Sequence, residues 1–222
     1  LGTFMVSAAT ITVVLEHPQS PLRGAIPEPT TRRVLMGLAM GLTAASIIYS
    51  PWGRRSGAHM NPAVTLTFFR LGKIAARDAT AYIGAQFIGG VAGIGLASLA
   101  LARWISDPAV NYVVTAPGIF GHGAAFVAEA LISFVMMLVV LTASNRRRVA
   151  PFTGVIVAVL IATFITLEAP FSGTSMNPAR SLGPDVVGDT WRGLWIYFLA
   201  PPLGMLVAAE TFVRVRGRLS VR

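Results

Sequence analysis

Cysteine is absent from this 222-residue chain, and charged residues make up only 12% of it. Without cysteine, disulfides, a thiolate nucleophile and cysteine-ligated zinc are excluded. The low share of charge accompanies 54% hydrophobic residues and a mean hydropathy of +0.67, outside the range of ordinary soluble domains. The composition therefore predicts an integral membrane protein.

Patterns for several other functions are also missing. A net charge of +9 could suggest nucleic acid, but the arginines lie between long apolar runs, and no basic face with interleaved aromatic residues is present. No nucleophile–base arrangement or phosphate-binding loop argues for an enzyme, and no pattern indicates a cofactor. Neither a nucleic-acid partner nor a catalytic role is expected.

Long apolar runs dominate what is present. A spanning helix needs about 20 apolar residues, with about 17 to 25 allowed. The shortest run begins at residue 1, so we expect the chain to start inside its first helix. The six predicted spans are Leu1–Leu15, Val34–Ser50, Ala79–Trp104, Ala124–Ala143, Ala150–Leu167 and Leu194–Val213.

One motif occurs twice. Residues 56–63 read Ser-Gly-Ala-His-Met-Asn-Pro-Ala, and residues 172–179 read Ser-Gly-Thr-Ser-Met-Asn-Pro-Ala. Chance recurrence of so long a pattern is improbable, which indicates an internal duplication. We expect one membrane domain over 1–222, with repeats over about 1–104 and 124–213.

Each Asn-Pro-Ala tripeptide has the composition of a helix start. Asparagine suits the N-cap, and proline suits the first helical position, where its missing N–H costs nothing. Ten residues from Asn61 to Arg70 make about 15 Å of helix, half of a ~30 Å hydrocarbon core. The sequence therefore predicts two re-entrant half-helices beginning at Asn61-Pro62-Ala63 and Asn177-Pro178-Ala179.

The basic residues predict the orientation. Each repeat has three spans, an odd number, so the second repeat runs inverted and the half-helices enter from opposite sides. Basic residues concentrate on the cytoplasmic side of a membrane protein. With both termini cytoplasmic, in the plasma (inner) membrane, that side has twelve basic residues and the other has six. The twelve are Arg54, Arg55, Arg70, Lys73, Arg77, Arg146, Arg147, Arg148, Arg214, Arg216, Arg218 and Arg222.

These motifs resemble those of the aquaporins and aquaglyceroporins, the major intrinsic proteins. The resemblance runs from Leu1-Gly2-Thr3-Phe4 to the last helix, and its most specific pieces surround the two Asn-Pro-Ala motifs. It implies an all-α fold of six transmembrane helices plus two half-helices, with an hourglass pore in each protomer of a homotetramer. It also implies a passive path through the lipid bilayer for water and small neutral solutes.

The pore mechanism expected from this arrangement is electrostatic. Both half-helices would point positive N-termini at the midplane, where they resist cations and protons. Asn61 and Asn177 would offer side-chain N–H groups to a passing oxygen. Backbone carbonyls would form a polar ladder along the path; the residues expected to supply them are Gly57, Ala58, His59, Ser172, Gly173 and Thr174.

The resemblance implies a selectivity filter, whose positions in this chain are located by their sequence distance from the motifs. Arg180, three residues after Asn177, is the expected main donor, because an intramembrane arginine is costly and by default functional or paired. Thr174 lies three residues before Asn177, and Ile165 lies twelve before it, where water-selective members usually have histidine. Met40, in an Ala-Met-Gly-Leu-Thr stretch, takes the aromatic position.

This filter leaves the solute open. Because it has only one strong donor, it is less polar than a strict water filter. A broadened facilitator for glycerol, urea or ammonia is therefore the alternative to a water channel. Ser181 after Arg180 and the Tyr197-Phe198 pair resemble water channels, whereas Asp185 is a mixed signal. A coupled secondary transporter is the alternative of another class. It is disfavoured because no second buried carboxylate beyond Glu129 is expected to carry a proton or sodium.

Three further side chains have expected roles. The resemblance implies that Glu129, in an apolar span, accepts hydrogen bonds from the second pore loop near Thr174 and Ser175. His59 is expected to brace the first pore loop rather than bind a metal, since no other ligand lies at suitable spacing. Glu168, just past the fifth span, is expected to be a solvated charge.

Overall fold

The computed structural model describes residues 1–220, with side chains described as far as Val215. Arg222 from the orientation argument, and the side chains of Arg216 and Arg218, lie outside the described residues. Eleven α-helices occur in the described part of the chain, which contains no strand. The helices are α1 Gly2–Glu16, α2 Pro21–Ala25, α3 Pro29–Tyr49, α4 Pro51–Ser56, α5 Pro62–Arg70, α6 Ala76–Leu101, α7 Gly121–Ser144, α8 Thr153–Leu167, α9 Ala169–Ser172, α10 Pro178–Gly188 and α11 Leu194–Ser220.

Five segments are long and apolar enough to cross a membrane: α3, α6 with its following turn to Trp104, α7, α8 with its preceding turn from Ala150, and α11 as far as Val215. The sixth predicted span, α1, has 15 residues, about 22 Å of helix, and packs in the same bundle against α3 and α6. The chain is an all-α integral membrane protein that crosses the bilayer several times.

The predicted spans differ from the observed helices mainly at their ends. Helix α3 starts five residues before the predicted Val34, because the Glu28 carboxylate caps it by accepting from the backbone N–H groups of Thr30 (2.9 Å) and Thr31 (2.5 Å). These hydrogen bonds to the charged form lower the pKa of Glu28 to about 2. Helix α11 continues past Val213, because a helix need not end where the hydrocarbon does.

Packing between helices follows the same plan in both halves. Helix α1 packs against α6 in the first half, as α7 packs against α11 in the second, and α3 packs along α8 between them. Helix α5 packs against α11, and α10 packs against α6. Each half-helix is thus held by the last long helix of the other half.

Two glycines permit the turns into the half-helices. Helices α4 and α9 each end at a glycine in the left-handed region, Gly57 with φ 66° and Gly173 with φ 79°. Glycine adopts this conformation without the steric cost of a side chain. The chain therefore turns back at equivalent places before Asn61 and Asn177.

Candidate pore

The two half-helices meet N-terminus to N-terminus. The Oδ1 atom of Asn61 accepts from the backbone N–H of Ala63 at 2.9 Å, directly after Pro62. The Oδ1 atom of Asn177 accepts from Ala179 at 3.0 Å and Arg180 at 3.2 Å. Because α5 and α10 face each other with their positive ends, they enter from opposite sides and place two partial positive charges together.

Each asparagine also links to the opposite loop. The Nδ2 atom of Asn61 donates to the Met176 carbonyl at 2.6 Å, and the Nδ2 atom of Asn177 donates to the Met60 carbonyl at 2.9 Å. A side-chain amide has two N–H groups. One is committed to the opposite loop, so each asparagine has one N–H left for a ligand.

A cavity of about 900 Å³ passes this junction. Both asparagines lie on its wall, and apolar side chains of α1, α3, α7 and α8 line much of the remainder. Its lining extends from Glu16 and Arg33, at one end of the bundle, to Arg54 and Pro151 near the other. The cavity thus combines a mostly apolar wall with a few polar groups, as small-molecule sites commonly do.

The four predicted filter residues all line this one cavity: Met40, Ile165, Thr174 and Arg180. Met40 also belongs to the core cluster that contains Met5 and Val13, and Ile165 packs against that cluster. Their apolar character alone therefore could not distinguish lining from packing. The four residues therefore line the same cavity, although they come from α3, α8, the second pore loop and α10.

Arg180 is held by a loop that sequence analysis did not implicate. Its Nη1 atom donates to the Val113 carbonyl at 3.0 Å and to the Thr115 hydroxyl. The loop turns there through positive φ angles at Asn111 (43°), Tyr112 (50°) and Val113 (62°), a strained conformation for non-glycine residues. No local pattern signals this partnership, because the two partners lie more than 60 residues before Arg180.

The structure differs from the predicted carbonyl ladder at Ser172 and His59. Gly57, Ala58, His59, Gly173 and Thr174 line the cavity, but Ser172 does not.

The Ser172 carbonyl instead accepts from the buried Tyr197 hydroxyl at 2.6 Å. The helical turn of α9, which ends at Ser172, directs this carbonyl into the protein rather than along the path. The His59 carbonyl, although its residue lines the cavity, accepts from Gln86 Nε2 at 2.8 Å.

The first pore loop is braced by a compact network. His59 Nδ1 lies 3.0 Å from the Thr65 hydroxyl, to which Gln86 Nε2 also donates at 2.9 Å. The His59 ring stacks on Tyr82 with ring centroids 5.2 Å apart. Gln86 was not singled out from the sequence. Among the described residues, no three histidine, aspartate or glutamate side chains cluster as metal ligands.

Two buried carboxylates contact the second pore loop. Glu129, on α7, accepts from the backbone N–H groups of Ser175 at 2.5 Å and Met176 at 2.7 Å. The expectation for Glu168 was wrong: it is only 8% exposed, and its carboxyl accepts from the Thr174 hydroxyl at 2.5 Å. The chain turns inward after α8 through the short α9, which carries Glu168 into the protein.

A third carboxylate is also buried. Asp185 of α10 is fully buried, and neither of its carboxyl oxygens has a hydrogen-bond partner in the described part of the chain. With Glu168, it corrects the expectation that Glu129 would be the single buried carboxylate. The burial of Glu168 was missed because this residue directly follows the predicted span Ala150–Leu167, where a solvated charge is the common outcome.

Comparison with known proteins identifies relatives along the whole chain. The family profile of the major intrinsic proteins matches residues 1–212. The chain is 36% identical over 216 residues to Glycerol uptake facilitator protein-like 6 of Lactiplantibacillus plantarum, covering 94% of this chain and 92% of that one. It is 37% identical over 177 residues to Aquaporin NIP6-1 of Arabidopsis thaliana, covering 79% of this chain but only 56% of the plant protein.

Two further comparisons agree. Probable aquaporin AqpM of Archaeoglobus fulgidus is 38% identical over 179 residues, covering 78% of this chain and 71% of that protein. The X-ray structure of the aquaglyceroporin from Plasmodium falciparum superimposes with a TM-score of 0.77 at 20% identity, covering 99% and 94% of the two chains. At that identity the structural likeness shows the shared fold.

Proposed function

We infer the function of this chain from its family: it belongs to the major intrinsic proteins, whose members are passive channels and not enzymes. We propose that it conducts water, together with some small neutral solutes, and excludes protons and other ions. The solute itself is the part of this proposal that membership of the family leaves open.

One observation carries the proposal: the opposed N-termini of α5 and α10, with Asn61 and Asn177 on the cavity wall. Two helix ends present partial positive charge to the same point of the path, which raises the energy of a cation there. The free amide N–H of each asparagine donates to the oxygen of a passing water. A water oxygen held by two donors has its hydrogens turned outward, which interrupts proton transfer along a water chain.

A broadened facilitator for glycerol, urea or ammonia is the second candidate. The proposed filter of Met40, Ile165, Thr174 and Arg180 has one charged donor and two apolar side chains, so larger or less polar solutes are not strongly rejected. A relative of this chain is named as a glycerol uptake facilitator. We propose water as the main solute because Ser181 follows Arg180, a feature that resembles water channels.

The proposal also includes the membrane, the orientation and the oligomeric state of the channel. We place it in the plasma (inner) membrane with both termini cytoplasmic, as the distribution of basic residues favours. We further propose a homotetramer, each protomer with its own pore built from repeats over about 1–104 and 124–213. Exposed apolar side chains on the long helices, such as Leu42, Leu96 and Leu99, are available for lipid or neighbouring protomers.

Stopped-flow light scattering on proteoliposomes tests the solute. Sucrose gradients measure water permeability, and urea and glycerol gradients measure the larger solutes in the same vesicles. The substitution Arg180→Val removes a charged hydrogen-bond donor, and one such hydrogen bond contributes about 1.5–3 kcal/mol. The urea and glycerol fluxes relative to water should therefore rise about tenfold or more.

Arg192→Val is the matched control, since Arg192 is exposed and does not line the cavity. It should leave every flux ratio unchanged. If the wild-type protein passes no water above the rate of empty liposomes but passes glycerol, the facilitator is the correct function and the water channel is not.

A further inference from the structure

A hydrogen-bonded row of four side chains connects the cavity wall to α7. The Thr174 hydroxyl, on the wall, donates to Glu168 Oε2 at 2.5 Å. The other oxygen of Glu168, Oε1, contacts the Ser172 hydroxyl, and that hydroxyl lies 2.8 Å from Glu129 Oε1. All four side chains are buried, and Thr174 is the one that also lines the cavity.

The Ser172 hydroxyl has too few protons for two ionised neighbours. A serine hydroxyl can donate one hydrogen bond and accept two. Its oxygen already accepts from the backbone N–H of Thr174 at 3.2 Å, and two carboxyl oxygens also lie at hydrogen-bond distance. Since Ser172 can donate to only one of them, the other contact requires a proton on a carboxyl group.

The contacts of the two carboxyls indicate which one carries that proton. Glu129 Oε1 also accepts from the Ser175 N–H at 2.5 Å, and Glu129 Oε2 accepts from the Met176 N–H at 2.7 Å. Backbone N–H groups can only donate, so they favour the ionised form of Glu129. Glu168 has one backbone partner, the N–H of Thr174, and its side-chain partners are hydroxyls, which can accept as well as donate. Glu129 thus has more donors that favour its ionised form.

Charge around Glu168 supports the same assignment. Within the described chain, no lysine or arginine nitrogen lies within 4.0 Å of its carboxyl. The groups that face it are Glu129 from α7 and Tyr197 from α11, whose electrostatic interactions include Glu168. The Arg180 guanidinium, on α10, donates its hydrogen bonds to the Val113 carbonyl and the Thr115 hydroxyl. Burial raises the pKa of Glu168, which lies just beyond the α8 span, and hydrogen bonds from the Ser172 and Thr174 hydroxyls and the Thr174 backbone N–H offset this only in part.

We propose that Glu168 is a positioning residue for the pore: as a neutral carboxylic acid it donates to Ser172, accepts from Thr174, and so fixes the Thr174 side chain on the cavity wall. Each proton in the row then has an acceptor, in the order Thr174 to Glu168, Glu168 to Ser172, and Ser172 to Glu129. The Phe164 carbonyl, 3.4 Å from the Thr174 hydroxyl, is a second and longer contact. Because the Thr174 proton is used within the protein, Thr174 offers the solute its methyl group and an accepting oxygen, but no donor.

Infrared difference spectroscopy on the reconstituted full chain tests the protonation directly. Glu168→Gln keeps both hydrogen bonds, because an amide oxygen accepts from Thr174 and an amide N–H donates to Ser172. At neutral pH, the wild-type-minus-variant spectrum should contain the C=O band of one protonated carboxyl.

Glu210→Gln is the matched control; Glu210 is partly exposed and paired with Arg70 at 2.7 Å. Its difference spectrum should contain carboxylate bands instead. Carboxylate bands in the Glu168→Gln spectrum would overturn the proposal.

Solute fluxes test the positioning role, which rests on the proposed channel function. Glu168→Gln should keep the wild-type ratio of urea to water permeability. Glu168→Ala leaves the Thr174 hydroxyl with only the longer contact to the Phe164 carbonyl at 3.4 Å, so its position is less fixed. The ratio should rise about two- to tenfold, the effect of one net hydrogen bond. An unchanged ratio in Glu168→Ala, or a ratio altered more than twofold in Glu168→Gln, would overturn the positioning role.

The two measurements separate the two proposals. If Glu168→Ala does not fold, the Glu168→Gln ratio and the infrared spectrum still decide the matter. If the wild-type protein conducts no solute at all, the proposed function fails, while the infrared band still tests the state of Glu168.

Discussion

Adding one methyl group at Gly90 should disturb the second half-helix. Gly90 lies in α6 where that helix packs directly against α10, and Gly183 lies opposite it. A Cβ atom at Gly90 would lie 2.4 Å from the Ala179 carbonyl oxygen, whereas ordinary contact begins at 3.4 Å. The neighbouring atom belongs to the backbone, so no side-chain rotation relieves the overlap, and α10 must move by about 1 Å.

The cost of Gly90→Ala follows from that overlap. Overpacking a well-packed interface costs about 1–3 kcal/mol, against a gain of about 0.5–1 kcal/mol from replacing glycine by alanine within a helix. Ala179 lies between the cap Asn177 and the donor Arg180, so the same displacement misplaces both. We expect a lower thermal midpoint and a reduced water permeability per protomer.

The control for this prediction lies in the same helix. A Cβ atom added at Gly95 has no atom within 4 Å, so Gly95→Ala should keep the wild-type water flux and match or slightly exceed the wild-type midpoint. Thermal unfolding in detergent and stopped-flow water flux at matched protein density measure both effects. Equal midpoints and fluxes for Gly90→Ala and Gly95→Ala would refute the argument that contact at Ala179 sets the position of α10.

Three further predictions concern the pore. Mercurial reagents should not inhibit water flux, because the chain has no cysteine; thiol-reversible inhibition in proteoliposomes would contradict this. Ile165→His should lower urea and glycerol fluxes relative to water by adding bulk and a donor to the wall; unchanged flux ratios would show that Ile165 serves only packing. Tyr197→Phe should lower the thermal midpoint, because a buried carbonyl left unsatisfied at Ser172 costs about 1–3 kcal/mol; an unaltered midpoint would count against this bracing contact.

The sequence predicted the helices better than their ends. Apolar runs located the long helices, and Asn-Pro located the starts of α5 and α10, because both signals are local. The start of α3 was missed because Glu28 followed by Pro29 lies in a proline-rich stretch that resembles a loop. Helix α1 has the predicted length and is shifted by one residue, whereas the extension of α11 past Val213 lies beyond the apolar run from which the span was predicted.

The site residues also differ in whether a local sequence signal or the tertiary structure determines their position. One cavity is lined by Ile165, Thr174 and Arg180, which were counted from the second motif, and by Met40, which was placed by the Ala-Met-Gly-Leu-Thr stretch. The direction of the Ser172 carbonyl could not be counted, since it depends on the turn of α9 and on the positive φ of Gly173.

Contacts across large sequence separations were beyond prediction as well. Thr115 precedes its partner Arg180 by 65 residues, and Gln86 follows His59 by 27. Glu168 was expected to be a solvated charge because it directly follows the fifth span in the sequence, which suggested a position at the membrane–water interface. In the structure the chain folds back there, and Glu168 is buried in the protein. Side-chain partners of this kind are fixed by tertiary structure, for which one sequence without its relatives gives no signal.

Simultaneous measurement of water and proton flux in one proteoliposome preparation tests the central claim most directly. An osmotic gradient drives water while a pH-sensitive dye inside the vesicles reports protons under an imposed pH gradient and a clamped membrane potential. The opposed ends of α5 and α10, with Asn61 and Asn177 between them, predict water flux well above that of empty liposomes and proton flux equal to theirs. Proton flux that rises with protein density in step with water flux would contradict the account.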